Sequence, residues 1–202
     1  MLTANKTRQE LVDFETGIAE EFNAGKIRYP VHLESGNEDA LIDVFKSVNP
    51  QDWIFGSWRL HLKALLKGVP PEELRAAIHR GESMALRFDE YRVYGSAIAG
   101  GTVPIALGTA LAIKRTGVDE RVWCFLGDMT ACTGIALEAM AYSGAHKLPL
   151  RWIVEDNGMS VCTSTSEVWN GSRPFERFNE NTTVFSYLSK YPHAGAGTRV
   201  EF

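Results

Sequence analysis

Residues 121–157 read RVWCFLGDMTACTGIALEAMAYSGAHKLPLRWIVEDN and alternate between short apolar runs and a helical pattern. The runs 121–126 and 150–154 are apolar and bounded by charged residues, which indicates two buried strands. Residues 133–145 between them are rich in alanine and have a helical period. A strand, a helix and a strand within about 35 residues form a βαβ unit, whose parallel strands bind ligands at their carboxyl ends. We therefore predict an α/β fold with a parallel sheet flanked by helices.

The rest of the chain shows weaker patterns around this unit. Amphipathic periodicity predicts helices, and short apolar or β-branched runs predict strands. Residues 80–94 have no clear period, and we predict a loop there. The predicted helices cover residues 5–24, 40–48, 60–66 (ended by Gly68), 70–78 and 103–114, and the further predicted strands cover 52–58 and 183–188.

The composition excludes several classes of protein. The chain has 202 residues, 45% hydrophobic and 23% charged, with a formal net charge of −4. These values describe a soluble globular protein, for which we expect an N-terminal helical arm (1–30) and an α/β domain (31–202). The acidic balance argues against a nucleic-acid partner. No apolar run approaches the roughly 20 residues of a membrane-spanning helix, so no membrane partner is expected either.

The cysteines and the N-terminal sequence bear on the cellular compartment. Three cysteines, an odd number, are typical of reduced thiols, and residues 1–15 lack the apolar core of a signal peptide. We therefore expect a cytoplasmic protein with Cys124 and Cys132 in its core. The sequence contains no Cys-x-x-Cys pair, which argues against zinc.

Two short polar motifs follow the strands of the βαβ unit. Gly127-Asp128 follows the first strand and Asn157 follows the second, so both are expected at one edge of the sheet. Carboxylate and amide oxygens suit magnesium or calcium, and the helix that starts near Thr133 would direct backbone N–H groups at an anion. The alternative is purely structural, because Asp after a strand often caps a helix and Asp156-Asn157-Gly158 is a common turn.

The same segment resembles the thiamine-diphosphate motif of the alpha subunits of 2-oxoacid dehydrogenase decarboxylating components. Gly127-Asp128, Glu138, Lys147-Leu148-Pro149 and Asn157 have the spacing of that family without a gap. The resemblance covers about residues 12–163. It includes VHLESGNEDAL (31–41), NPQDWIFGSWRLHLKALLKG (49–68), GESMAL (81–86) and YGSAIAGGTVPIALGTALA (94–112). It implies a thiamine-diphosphate-binding fold with thiamine diphosphate and Mg²⁺ as cofactors.

The resemblance implies a metal site after the two strands. Asp128, Asn157 and the backbone carbonyl of Met159 would hold Mg²⁺, and Gly127 would permit a close approach of the cofactor. Met129 stands where the family has a second glycine, which is a departure within the cofactor-binding motif.

It also implies contacts to the two ends of the cofactor. Arg59 would clamp the diphosphate, because a guanidinium offers forked donors to phosphate oxygens. Trp58 stands where the family usually has Tyr, so an indole N–H replaces a hydroxyl. Ala97, Ile98 and Ala99 would line the aminopyrimidine, and the family commonly has a larger residue at the position of Ala99.

Histidines complete the set of candidate catalytic residues. His32 matches the active-site histidine of the family, and His193 lies in a segment that looks like a loop over the thiazolium. A neutral histidine there could donate or accept a proton near the substrate. His61 follows Arg59 in the diphosphate segment, and both a catalytic and a packing role remain open for it. His79 and His146 are expected on surface turns.

The resemblance implies an enzyme that cleaves a C–C bond next to the keto group of a small-molecule substrate. No glutamate matches the one that activates the aminopyrimidine, which in this family comes from a beta subunit, so we expect an obligate beta-type partner in a heterotetramer. Fewer residues follow Asn157 than in the family, so we expect an alpha-type subunit that is shortened at its C-terminus. The alternatives are a split transketolase-like subunit that transfers a two-carbon ketol unit, and a non-catalytic scaffold subunit.

Overall fold

A six-stranded sheet with helices on both faces forms the centre of the computed structural model, which describes residues 5–178, 180–193 and 200–202. No helix within these ranges is long and apolar enough to cross a membrane. The elements in chain order are α1 (Arg8–Asn23), α2 (Glu38–Phe45), β1 (Trp53–Gly56), α3 (His61–Lys67), α4 (Pro71–His79), β2 (Arg87–Phe88), β3 (Val93–Gly95), α5 (Val103–Thr116), β4 (Val122–Gly127), α6 (Asp128–Ala131), α7 (Gly134–Ala145), β5 (Leu150–Asp156), β6 (Met159–Ser160), β7 (Thr163–Ser164), α8 (Thr165–Trp169) and β8 (Thr182–Ser186).

The strand order of the sheet is β2-β3-β1-β4-β5-β8. Five of these strands, β3, β1, β4, β5 and β8, run parallel, and only the edge strand β2 is antiparallel to its neighbour. This confirms the predicted α/β class with a parallel sheet. Since parallel strands end at the same edge, the segments that follow β1, β3, β4, β5 and β8 meet there.

The side chains of each strand alternate between the two faces of the sheet, so the core has two layers. On β4, Trp123 and Phe125 pack with the apolar faces of α1–α4. Cys124 and Leu126 point the other way and pack with α5 and α7. Successive side chains of a strand point to opposite faces of the sheet, and helices cover both faces here. Both sets of β4 side chains are therefore buried, which explains why the run is apolar throughout. Cys124 and Cys132 are buried, as expected, and burial raises the pKa of both thiols.

Helix α1 is fixed at its start by a capping box between Thr7 and Glu10. Leu11, Phe14 and Ile18 lie on one face of α1 and belong to the same apolar layer as α2–α4. The predicted helix over 5–24 is therefore confirmed, and the boundary between an arm and a domain near residue 30 stays a prediction.

The prediction of a loop over residues 80–94 is wrong for its second half. Strands β2 and β3 lie there, and β3 pairs in parallel with β1 through Ile54–Val93 and Phe55–Tyr94. Each strand has three residues or fewer, which is too short for a period of two to be recognised, and β3 is held by a partner about 40 residues earlier in the chain. Gly68 ends α3 with φ +104, as its position predicted.

Candidate active site

A cavity lies at the carboxyl edge of the sheet, where the segments after the parallel strands meet. Nine of the residues predicted for the site line it. They are Trp58 and Arg59 after β1, Ala99 after β3, Gly127, Asp128 and Met129 at the end of β4, Asn157 and Met159 after β5, and His193 after β8. The structure therefore brings residues from five separate segments together, and their individual roles remain predictions.

Asp128 is a buried acidic residue that directly follows β4. It is the first residue of α6 and only 2% exposed. Its Oδ2 atom has no hydrogen-bond partner among the residues that the structure describes. Burial, together with the nearby charge of Asp156, raises the pKa of the carboxyl group. A buried carboxylate oxygen without a donor is a favourable position for a cation.

Asn157 lies in a turn directly after β5. Its Oδ1 accepts a hydrogen bond from the N–H of Met159 at 3.0 Å, and Gly158 donates its N–H to Asp156 Oδ1 at 2.9 Å. Gly158 has φ +71, a conformation that glycine adopts without strain. The turn that the sequence suggested as an alternative is thus present. It is compatible with metal binding, because an amide oxygen has a second lone pair.

No group of three or more His, Cys, Asp or Glu side chains is placed to hold a metal ion within the described parts of the chain. The predicted magnesium ligands differ from such a group, because they comprise one carboxylate, one amide and one backbone carbonyl. Mg²⁺ usually takes one or two carboxylates and completes its shell with phosphate oxygens and water.

Hydrogen-bond donors line another part of the cavity wall. The indole Nε1 of Trp58 is buried and has no partner within the described residues. Arg59 lies beside it and contacts His193 Nδ1 at 3.3 Å and the carbonyl of Leu33 at 3.4 Å. Thr133, which precedes the first turn of α7, also lines the cavity and makes no side-chain cap to that helix. The uncapped N–H groups of α7 and the two side-chain donors favour an anion here.

Two of the three predicted catalytic histidines lie together. The ring of His32 is 4.5 Å from that of His193 and 5.8 Å from that of Trp58, measured between centroids. Burial and the adjacent Arg59 guanidinium lower the pKa of His193, so its imidazole is neutral near pH 7. Arg59 can only donate, so His193 Nδ1 accepts and the ring proton is assigned to Nε2.

His61 occupies a different environment, in the core. It is fully buried at the start of α3, with Nδ1 3.1 Å from Glu15 Oε1 and Nε2 2.9 Å from Ser83 Oγ. It does not line the cavity, and of the two roles left open by the sequence, the packing role fits this placement. Ala97 and Ile98 also lie outside the lining, and Ile98 is 71% exposed.

The sequence did not reveal a buried group of charges behind the cavity. Glu34 and Glu155 line the cavity, and Lys63 contacts both carboxylates, at 2.8 Å in the case of Glu155. Asn37 Nδ2 donates to both glutamates at 3.1 Å. Burial acts to lower the pKa of Lys63, but the charges of Glu155 and Glu34 outweigh it and raise the pKa. Burial raises the pKa of Glu155.

A signal for these residues was present in the sequence. Lys63 interrupts the apolar run LHLKALL, and Glu155 ends the apolar run LRWIVE. A charged residue within a buried element is seldom tolerated without a partner, so each predicts an ion pair. The sequence could not show that the two residues are partners of each other, or that Glu34 joins them. Tyr187, which follows β8 and lines the cavity, carried no such signal.

Comparisons with known proteins show which family the sequence resembles. The family model of the dehydrogenase E1 component matches residues 6–178. The alpha subunit of acetoin:2,6-dichlorophenolindophenol oxidoreductase from Cupriavidus necator is 29% identical over 81% of this chain and 52% of its own length. The alpha subunits of the pyruvate dehydrogenase E1 component from Porphyra purpurea and Rickettsia prowazekii are 28% and 30% identical. They align with 74% and 76% of this chain and with 48% and 50% of their own lengths.

The chain thus spans about half the length of the curated relatives it matches. The matched part includes all the elements whose ends form the cavity, apart from β8 and the segment after it. Because the family model covers most of the chain, the protein belongs to the dehydrogenase E1 component family.

Proposed function

We propose that this chain binds the magnesium-diphosphate part of thiamine diphosphate in the cavity and, with a partner chain, cleaves a C–C bond next to a keto group. One observation carries the proposal. The same cavity contains a buried acceptor without a partner, Asp128 Oδ2, and a buried donor without a partner, Trp58 Nε1, among the described residues. A metal diphosphate offers a cation to the first and anionic oxygens to the second.

The acceptor side of the cavity fits Mg²⁺. Asp128, Asn157 and the backbone carbonyl of Met159 would hold it, as hard oxygen ligands. Asp128 is placed at the end of β4, and the turn after β5 brings Asn157 and Met159 to the same cavity. Asp128 Oδ2 has no hydrogen-bond partner within the described ranges, and this supports the fit because a bound cation would satisfy it.

The donor side fits the diphosphate. Arg59 offers a forked set of N–H groups, Trp58 offers one indole N–H, and the N-terminus of α7 offers backbone N–H groups. The substitution of Trp for the family's usual Tyr at position 58 therefore keeps a donor at the cavity wall.

The chain's own residues would orient the cofactor and handle a proton. Thiamine diphosphate, when bound, supplies an electron sink for cleavage of the bond next to a keto group. His193 carries its ring proton on Nε2 and lines the cavity, so it can donate a hydrogen bond to a keto or hydroxyl oxygen of the substrate. His32 packs against the rings of His193 and Trp58 and would keep both in position.

A partner chain is part of the proposal. We infer that a beta-type subunit supplies the glutamate that activates the aminopyrimidine, in a heterotetramer. Relatives named as alpha subunits of pyruvate dehydrogenase and of an acetoin oxidoreductase support both the partner and a small keto substrate.

The test has two steps. Calorimetry with thiamine diphosphate and Mg²⁺, carried out with the partner present, should detect binding that needs the metal. Turnover should be negligible for the purified chain and restored by the partner. Absence of cofactor binding would favour a non-catalytic scaffold subunit, and robust turnover by the chain alone would refute the need for a partner.

A further inference from the structure

A second cavity adjoins the predicted metal site. It has a volume of about 190 Å³, and Asp128 lines it as well as the cavity at the carboxyl edge of the sheet. Asp156 and Gly158, from the turn after β5, also line the second cavity, and so does Thr165, the first residue of α8. The carboxyl group of Asp128 can therefore be contacted from both cavities.

Two buried oxygen atoms in the second cavity have no hydrogen-bond partner among the described residues. They are Asp128 Oδ2 and the hydroxyl oxygen Oγ1 of Thr165. Asp128 is 2% exposed and Thr165 is 8% exposed. A buried polar atom without a partner is costly, so each of the two calls for an explanation. The two atoms are complementary, because an ionised carboxylate only accepts hydrogen bonds and a hydroxyl can donate one.

The hydroxyl of Thr165 lies close to the carboxyl group of Asp128. Burial raises the pKa of that carboxyl group, and the nearby hydroxyl of Thr165 acts in the opposite direction. The guanidinium of Arg173 also lines the second cavity, but it bonds to Asp156 Oδ2 at 2.6 Å and to Glu176 Oε1 at 2.9 Å. A hydrogen bond from Thr165 to Asp128 would satisfy both side chains at once.

The backbone fixes Thr165 against the other predicted metal ligands. Strands β6 and β7 form a hairpin in which Met159 pairs with Ser164. The N–H of Thr165, directly after this hairpin, donates to the carbonyl of Gly158 at 3.0 Å. Gly158 lies between Asn157 and Met159, so Thr165 is joined to the turn that carries both residues. Thr165 thus lies against both parts of the predicted metal site.

A carboxylate that binds a metal ion usually needs a further hydrogen bond to hold its orientation. Its two oxygens have about four lone pairs, so one can bind a cation while another accepts from a hydroxyl. Loss of such an outer partner typically lowers metal affinity by about 10- to 100-fold. The threonine side chain suits this role, because its branched Cβ restricts the directions that the hydroxyl can take.

We propose that Thr165 is a positioning residue of the metal site, whose hydroxyl donates a hydrogen bond to the Asp128 carboxylate and holds it in the orientation that binds Mg²⁺. The inference rests on the proposed function, and it adds a residue that touches neither the metal nor the cofactor. Because the hydroxyl has no partner in the described cofactor-free structure, it contributes to metal binding and not to the stability of the cofactor-free chain.

The test compares variants that remove or keep the hydroxyl. Calorimetry measures the Kd for Mg²⁺ of the chain together with its partner, in the presence of excess thiamine diphosphate. Thr165→Val removes the hydroxyl but keeps the branched shape and the backbone N–H, and it should raise this Kd by about 10- to 100-fold. Thr165→Ser keeps the hydroxyl and should stay within about threefold of the wild-type Kd. Ser166→Ala is the matched control, because Ser166 lines the same cavity but is exposed, and it should leave the Kd unchanged.

Thermal melts separate positioning from a merely structural role. Without Mg²⁺ and thiamine diphosphate, Thr165→Val should melt no lower than the wild-type protein, since the hydroxyl that it removes has no partner there. With both ligands present, Tm should rise less in Thr165→Val than in the wild-type protein, because the variant binds the metal more weakly. Thr165→Ser should match the wild-type protein in both melts.

An unchanged Kd for Mg²⁺ in Thr165→Val, or an equal loss of affinity in Thr165→Ser, overturns the inference. So does a lower Tm or a loss of the fold in the cofactor-free Thr165→Val protein, which would show a structural role. These results leave the proposed function intact, because the wild-type protein still binds the cofactor with its metal. Failure of the wild-type protein to show metal-dependent cofactor binding overturns the proposed function instead.

Discussion

Replacing Asp128 by asparagine should stabilise the cofactor-free chain and weaken cofactor binding. In the structure, Asp128 is 2% exposed, and its Oδ2 has no hydrogen-bond partner among the described residues. Burial raises the pKa of this carboxyl group, which means that its charged form is disfavoured in the folded chain. The asparagine side chain has the same shape and no charge, so the folded state should lose this penalty.

The size of the effect follows from the cost of one unsatisfied buried group. That cost is about 1–3 kcal/mol, and the lower end applies because the new amide is itself only partly bonded. For a chain of this length, each kcal/mol shifts Tm by about 2–4 °C. We therefore expect Asp128→Asn to raise the Tm of the cofactor-free chain by about 2–4 °C.

The change in Tm caused by Asp128→Asn should reverse its sign when the cofactor is present. Saturation at a hundredfold excess over Kd stabilises the folded wild-type protein by about 2.7 kcal/mol, which corresponds to about 5–10 °C. Cofactor binding should stabilise the variant much less, because the variant lacks the charged magnesium ligand and its Kd for the cofactor should rise at least about tenfold. The wild-type protein would then melt above the variant with Mg²⁺ and thiamine diphosphate, and below it without them.

The assay is a pair of thermal melts followed by circular dichroism, without and with both ligands, on the chain together with its partner. Asp89→Asn is the matched control, because Asp89 is exposed, pairs with Arg87 and lies outside the cavity. It should change neither melt by more than about 1 °C, as surface substitutions usually have small effects. Destabilisation of the cofactor-free chain by Asp128→Asn, or equal ligand-induced shifts in both proteins, would refute the assignment of Asp128 to the metal.

Three further predictions concern the donor side, the core and the pH dependence. Trp58→Phe should keep the fold and lower cofactor affinity about 10- to 150-fold in calorimetry, since it removes one donor to a charged oxygen; unchanged affinity would exclude the indole as a ligand. Ser83→Ala should lower the free energy of unfolding by about 1–3 kcal/mol in urea titrations while cofactor affinity is unchanged, because His61 Nε2 loses its partner. The lowered pKa of His193 means that the unfolded chain binds more protons just below pH 6.5, so stability should rise with pH up to that value. His193→Gln should flatten this rise, and an unaltered pH profile would contradict it.

The fold was largely predictable because its decisive elements are local. The apolar runs of β4 and β5 and the alanine-rich helix α7 each carry their own pattern, and the helical crossover through α7 allows β4 and β5 to pair in parallel. The strand β3 was missed because its three residues gain their conformation from pairing with β1, which no local pattern records.

The position of the site was predictable from the same strand–helix–strand pattern. Residues that follow parallel strands must lie at one edge of the sheet, so Asp128 and Asn157 could be assigned to one edge from the sequence, and both line the cavity there. The roles of the histidines could not be separated in this way. His61 lies at the start of α3 and turns into the core, whereas His32 faces His193, and the direction of a side chain depends on packing that the sequence does not show.

The group of Glu34, Lys63 and Glu155 illustrates what lies beyond sequence patterns. Its members come from the segment before α2, from α3 and from the end of β5, and they meet only because the sheet brings these segments together. The single ammonium group of Lys63 contacts both buried carboxylates, and burial raises the pKa of Glu155. Apolar residues of similar volume would stabilise this part of the chain at least as well. Stability alone therefore does not explain why these charged groups lie at the wall of the cavity.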